Sequence, residues 1–140
     1  SEGLLLLTND SQIKSTLTDP KFGHPKTYLA QVERIPNEEA LQRLRDGVVI
    51  EGVKTKPAEI ELLTEDPVLP PRSIPIRFRK NIPTAWLKIV LREGRNRQVR
   101  KMTAASGYPT LRLVRIMIGG LGFGTLQPGE WKEIERSTIL

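Results

Sequence analysis

The sequence predicts an α+β fold, a mixed and largely antiparallel sheet flanked by helices. Three observations predict it. Strand-like and helix-like segments follow one another irregularly, without the regular βα alternation of a doubly wound parallel sheet. Several neighbouring strands lie close enough to pair as hairpins. At 140 residues, 38% hydrophobic and 27% charged, the chain suits a single domain, residues 1–140, with a real core and no room for two independent ones.

Gly3 to Thr8 is short, apolar and bounded by polar residues, which predicts a buried strand. Asn9-Asp10-Ser11 then offers an N-cap to a short helix with Ile13 and Leu17 four apart. Asp10 reads as that cap rather than as a catalytic carboxylate, because side-chain oxygen before a helix satisfies its orphan N–H groups. Past Pro20, Gly23 and Pro25, Lys26 to Arg34 alternates in two faces and predicts a strand. Glu38 to Arg45 carries the apolar stripe Ala40, Leu41, Leu44. Its first turn is acidic, its last basic, and Gly47 stops it.

Val48 to Val53 and Ala58 to Leu63 read as the next strands. Asp66 to Pro75 holds four prolines and can be neither helix nor central strand, so it predicts a surface crossing within the domain. Ile76 to Asn81 is basic around Phe78, and Thr84 to Arg92 alternates clearly as a strand. Then comes EGRNRQVRKM, Glu93 to Met102. The ten positions Arg92 to Lys101 hold five cationic side chains, opposed only by Glu93. Gly94 turns the chain and Asn96 can cap a helix. That helix places Arg97, Arg100 and Lys101 on one face and Val99, Met102, Thr103 and Ser106 opposite. Gly107 ends it, Leu111 to Ile118 is a further strand, a glycine-punctuated turn follows, and a last strand is predicted around Trp131.

Composition excludes several chemistries. There is no cysteine, hence no disulfide or thiolate metal site, and His24 is the only histidine, which argues against a Ser-His-Asp triad and a zinc centre alike. No metal and no cofactor is expected. The run Leu4 to Leu7 is too short to span a bilayer and lacks the flanks of a signal peptide, so no membrane association and a cytoplasmic location are expected. The net charge of +6 is uneven: Arg72 to Arg115 holds 12 Lys/Arg against Glu93 alone. A field so one-sided suggests a polyanionic partner, nucleic acid first.

Several strings carry a resemblance. SEGLLLLTND, Lys26-Thr27-Tyr28, EGRNRQVRKM, LRLVRIMIGGL and the closing Pro-Gly-Glu-Trp, in this order and spacing, resemble the RsuA/RluE branch of bacterial pseudouridine synthases, closest to the RluE type, over nearly the whole chain. The resemblance implies a cytoplasmic enzyme, an isomerase without metal or cofactor. It would detach a uracil in ribosomal RNA, most readily large-subunit (23S) RNA, from its ribose and rejoin it through carbon. It further implies that Tyr28 packs against the target base, that Arg100 pairs with the catalytic aspartate, and that Leu113 lines the base pocket. Read from the sequence alone, Tyr28 and Leu113 could equally be strand core, and Arg100 a phosphate contact or a surface charge. An aromatic face does suit a flipped-out pyrimidine. Lys26, Arg95, Asn96, Arg97, Gln98 and Lys101, extended by Arg77, Arg79 and Lys80, would contact the RNA backbone, giving salt-dependent affinity rather than sequence choice.

One departure matters. The family's nucleophilic aspartate belongs to a Gly-Arg-Leu-Asp motif just upstream of the serine that matches Ser1, and these 140 residues do not contain it. The expectation is a catalytic domain incomplete at its N-terminus, inactive as given, with Arg100 lacking its partner and an exposed sheet edge that invites oligomerisation. The alternative is a ribosome-associated RNA-binding module without catalysis. Retention of Tyr28, Arg100 and Leu113 together favours the enzyme.

Overall fold

The computed structural model describes residues 2–139 other than Phe78 and Lys80. In chain order the elements are β1 (Glu2–Gly3), α1 (Ser11–Thr18), β2 (Lys26–Glu33), α2 (Glu38–Asp46), β3 (Val49–Ile50), β4 (Val53–Lys54), β5 (Glu59–Leu62), β6 (Thr84–Leu91), α3 (Gln98–Ala105), β7 (Thr110–Ile118) and β8 (Leu121–Gly122). Single 3-10 turns lie at Pro20–Phe22 and Arg136–Thr138. The main sheet runs β1-β7-β2-β6-β5, with β8 folded back on β7. Only the β1–β7 pair is parallel; the others are antiparallel. The sheet is therefore mixed and largely antiparallel, as the irregular order of elements predicts.

The long alternating strands form its centre. Tyr28 stands opposite Ile89, Ala30 opposite Leu87 and Val32 opposite Ala85, so one face of β2 and β6 is apolar throughout. Helices α2 and α3 cover that face, burying Leu41, Leu44, Val99 and Met102 against Ala30, Leu87, Ile89 and Leu113. Each such aliphatic side chain contributes about 2 kcal/mol by leaving water. Across β2 and β7, Ala30 faces Leu113 and Tyr28 faces Arg115, with irregularities between Thr27 and Tyr28 and between Gln31 and Val32. Helix α1 packs at the far end of β7, where Ile13 and Leu17 meet Ile118.

Local signals account for the helix ends. Asp10 accepts from the backbone N–H groups of Gln12 (2.9 Å) and Ile13 (3.2 Å), the capping role its position predicts. Asn37 does the same for Ala40 at 2.8 Å. Gly47, at φ +109, ends α2, where a Cβ would lie 2.3 Å from the Thr55 carbonyl oxygen; only glycine fits.

Four expectations are corrected. The strand predicted over Gly3 to Thr8 is reduced to Glu2–Gly3; beyond it Leu4 and Leu6 turn toward α1 while Leu5 and Leu7 stay exposed. Val48 to Val53 is not one strand but most of a tight hairpin. The chain reverses at Glu51-Gly52, both with positive φ, a turn geometry that suits the twist of paired strands. Helix α3 begins at Gln98, with Arg97 in the N-cap position at φ +52 and no side-chain cap; the turn that Gly94 starts runs further than Asn96. No strand forms around Trp131, which is 80% exposed: a single aromatic without alternating apolar neighbours has no sheet face to join. Phe78 and Lys80 lie outside the described residues.

Candidate active site

Tyr28 and Leu113 share the helix-covered face of the sheet. Leu113 is buried, and Tyr28 is partly buried and packs against the same apolar cluster. Since Ala30 is directly opposite Leu113, Tyr28 is its diagonal neighbour across the strand pair, within reach of an aromatic ring. Helix α3 lies over this face through Val99 and Met102. It is tied to the start of β7 by a 2.8 Å hydrogen bond between the Thr103 and Thr110 hydroxyls. The fold thus brings the tyrosine and leucine side by side and sets the helix that carries Arg100 above the same strand.

Arg100 is held loosely. Its Nη1 donates to the Thr110 carbonyl at a long 3.5 Å, and its Nε is buried without a partner. Burial holds its pKa below the ordinary arginine value, and the positive charges of Arg97 and Arg72 lower it further. Among the described residues no carboxylate pairs with it. A guanidinium with a buried, unmade hydrogen bond in a positive field is a site that attracts an anion.

The residues predicted to line an RNA track divide sharply. Arg97 and Asn96 are exposed at the start of α3, and Arg77 is exposed in the crossing segment. Others are committed to protein. Gln98 is 3% exposed, donates to the Glu93 carboxylate at 2.9 Å and accepts from the Arg95 N–H at 3.1 Å, a buried strut. The Arg95 guanidinium donates to the carbonyls of Ile50 (2.6 Å) and Val53 (3.0 Å), clamping the β3–β4 hairpin. Lys101 pairs with Glu51 at the tip of that hairpin at 2.6 Å. Arg79 forks onto the buried carboxylate of Glu33. Lys26 donates to the Leu17 carbonyl at 2.7 Å; burial, and then the charge of Arg115, holds its pKa below the usual lysine value.

Glu93 was legible only as the single acid in a basic run. In the fold it is 8% exposed and accepts from the Lys56 backbone N–H at 2.6 Å as well as from Gln98. This carboxylate joins the turn before α3 to the hairpin and so fixes where Arg97 and Arg100 begin. Its partner Lys56 is far away in sequence, so no local signal could reveal the bond.

Among the described residues no group of three or more His, Cys, Asp or Glu could hold a metal ion. Among the described residues no helix is long and apolar enough to cross a membrane.

Comparison with known proteins joins this geometry to a family. The family model for RNA pseudouridylate synthase matches residues 1–105. A ribosomal large subunit pseudouridine synthase E of Vibrio parahaemolyticus is 53% identical over 135 residues, 96% of this chain and 56% of that protein. Its namesake in Xanthomonas campestris is 52% identical over 132 residues, 94% of this chain and 71% of that one. A solved crystal structure of a pseudouridylate synthase superposes with a TM-score of 0.77 at 29% identity, covering 98% of this chain and 53% of the other. The chain spans little more than half the length of the Vibrio relative and of the solved structure.

Proposed function

The chain belongs to the RNA pseudouridylate synthase family, and from that premise we propose that it provides the base pocket and RNA-binding face of an enzyme that isomerises a uridine of ribosomal RNA, in the large subunit, to pseudouridine. The observation that carries this reading is that Tyr28 lies beside Leu113 on one sheet face, under the helix that holds Arg100, whose buried Nε has no partner. A uridine swung out of its stack would lie with its ring against Tyr28 and its edge toward Leu113. The reaction exchanges the N1–C1′ glycosidic bond for a C5–C1′ bond, and the hydrogen on C5 leaves as a proton. No electrons are gained or lost, so no redox group is called for.

Arg100 would hold the carboxylate that acts on the nucleotide, orienting it through paired N–H donors in an enclosed site. Among the described residues Arg100 has no such partner, and we expect the 140 residues by themselves to bind RNA without turning it over. The aspartate of a Gly-Arg-Leu-Asp segment would complete the site.

The test is release of tritium from ribosomal RNA labelled at uridine C5. This chain is compared with one extended to carry that segment, and with the extended chain bearing Tyr28→Ala. Release from the extended chain alone, lost in the tyrosine variant, is the expected result. Release from the 140 residues would overturn the role given to the added aspartate. Silence from both, with RNA binding intact, would favour the non-catalytic RNA-binding module.

A further inference from the structure

A third arginine, outside every motif discussed so far, is delivered to the neighbourhood of Arg100. Arg72 follows Pro70-Pro71, a stiff extended pair, in the crossing between β5 and β6. Two contacts fasten this crossing to the sheet. The Arg112 guanidinium donates to the Pro70 carbonyl at 2.6 Å and grips both oxygens of Glu2, each at 2.9 Å. Arg72 reaches the same Glu2 carboxylate only at 3.6 Å. Arg112 lies two residues along β7 from Thr110, whose carbonyl takes the single bond from Arg100. Arg100 and Arg112 are therefore both held at the first half of β7, and Arg72 lies against the Glu2 carboxylate that Arg112 grips.

Charge decides what this arrangement lacks. Glu2 is one acid shared by two arginines, and Arg112 has the better geometry, two short parallel bonds against one long contact. Arg72 is left with its charge largely uncompensated. Arg97, exposed at the start of α3, and Arg100, with its buried unmade bond, add two more. Four guanidiniums thus stand against one carboxylate. The depressed pKa of Arg100, caused first by burial and then by Arg97 and Arg72, agrees that these charges share one field. Like charges held together by the fold, with a single shared acid among the described residues, are stabilised by a ligand bearing several negative charges.

Resting on the RNA reading above, we propose that Arg72 is a substrate-positioning residue that, with Arg97, grips a backbone phosphodiester of the RNA beside the target nucleotide. The proline-rich crossing then acts as a strap that presents this arginine, and the Glu2–Arg112 pair is its buckle.

The test is fluorescence anisotropy of a fluorescein-labelled, uridine-containing RNA stem-loop titrated with the 140-residue chain across a series of salt concentrations. Arg72→Ala should weaken binding about tenfold at low salt and lower the slope of log affinity against log salt by roughly 0.7–0.9, one phosphate contact. Arg72→Gln, which keeps a donor toward Glu2, should give the same change of slope, and Arg72→Lys should leave it in place. Arg43→Ala, on the outer side of α2, removes an equal charge elsewhere and should leave the slope unaltered. Equal slopes for the parent chain and Arg72→Ala, or an equal fall for Arg43→Ala, would overturn the proposal while the RNA reading stands. A parent chain with no salt-dependent RNA binding would remove both.

Discussion

Two basic stretches of this molecule, Glu93–Lys101 and Arg72–Arg79, look alike in the sequence and are fastened differently in the fold. In the first, the Arg95 guanidinium and the Gln98 amide are committed to backbone carbonyls and to a buried acid. Arg95 clamps two carbonyls of the β3–β4 hairpin, and Glu93 gathers Lys56 and Gln98. In the second, the described contacts are ion pairs to carboxylates, Arg72 to the partly exposed Glu2 and Arg79 to the buried Glu33, and the described residues form no helix or strand. A cation bound to a carbonyl keeps its charge but surrenders its geometry. Arg72, left with one long contact to a carboxylate that Arg112 already grips, keeps both within reach of a ligand. The contrast teaches that positive charge counted along a chain overstates the charge a partner can grip.

The contrast breaks most readily at Glu93. Glu93→Ala leaves the Lys56 N–H and the Gln98 amide without their acceptor and should cost about 2–3 kcal/mol, read as a lower urea midpoint at unchanged slope. Glu93→Gln, which keeps an acceptor, should recover part of the loss. A midpoint unmoved in Glu93→Ala would show that the turn is not held by this carboxylate.

Arg95→Ala should come next, at about 1.5 kcal/mol, with faster amide exchange confined to the hairpin between Val49 and Lys54. Its counterpart Arg72→Ala should cost less than about 1 kcal/mol, because its one contact to Glu2 is long and partly exposed. Equal losses would erase the distinction between the two stretches.

The smallest effect concerns pH. The Lys101 ammonium, through its hydrogen bond and then its charge, holds the Glu51 carboxyl below its usual pKa, with Arg95 assisting against a small opposing effect of desolvation. In the unfolded chain this group titrates near about 4.3. The tether is therefore fully present above that pH and is lost as pH falls through the lower native value. Hairpin amide exchange should accelerate in that acidic window, and Glu51→Gln should remove the acceleration. Identical acid profiles for the two proteins would rule out the Lys101–Glu51 tie.

These differences also mark what could be read in advance. The alternation of β2 and β6, the Asp10 cap and the apolar face of α3 were legible, because each depends on neighbours within a few residues. Val99, Met102 and Thr103 are buried as the helical spacing requires. The roles of Arg95 and Glu93 were not, because their partners come from residues 50–56, far along the chain, and Gln98 is buried against that same Glu93. A polar residue within a basic run looks like surface until the fold brings it a buried donor. Leu4–Leu7 misled for a related reason: four leucines predict burial, but β7 pairs with only two residues of β1.

The two irregularities in the β2–β7 pairing have one more consequence. Each places an extra residue, Leu111 and Ile116, on β7, and each extra residue reverses which way the following side chains point. Arg112–Arg115 is thus an insert half a period out of step with the strand on either side of it. Deleting Leu111 or Ile116 alone would let the ladder close and would force one flank or the insert to turn over, sending Leu113 outward or Ile118 away from α1. Deleting both would restore a straight strand of ordinary phase. The wall opposite Tyr28 is in that sense encoded by length as much as by residue type, and a search by substitution alone would never encounter it.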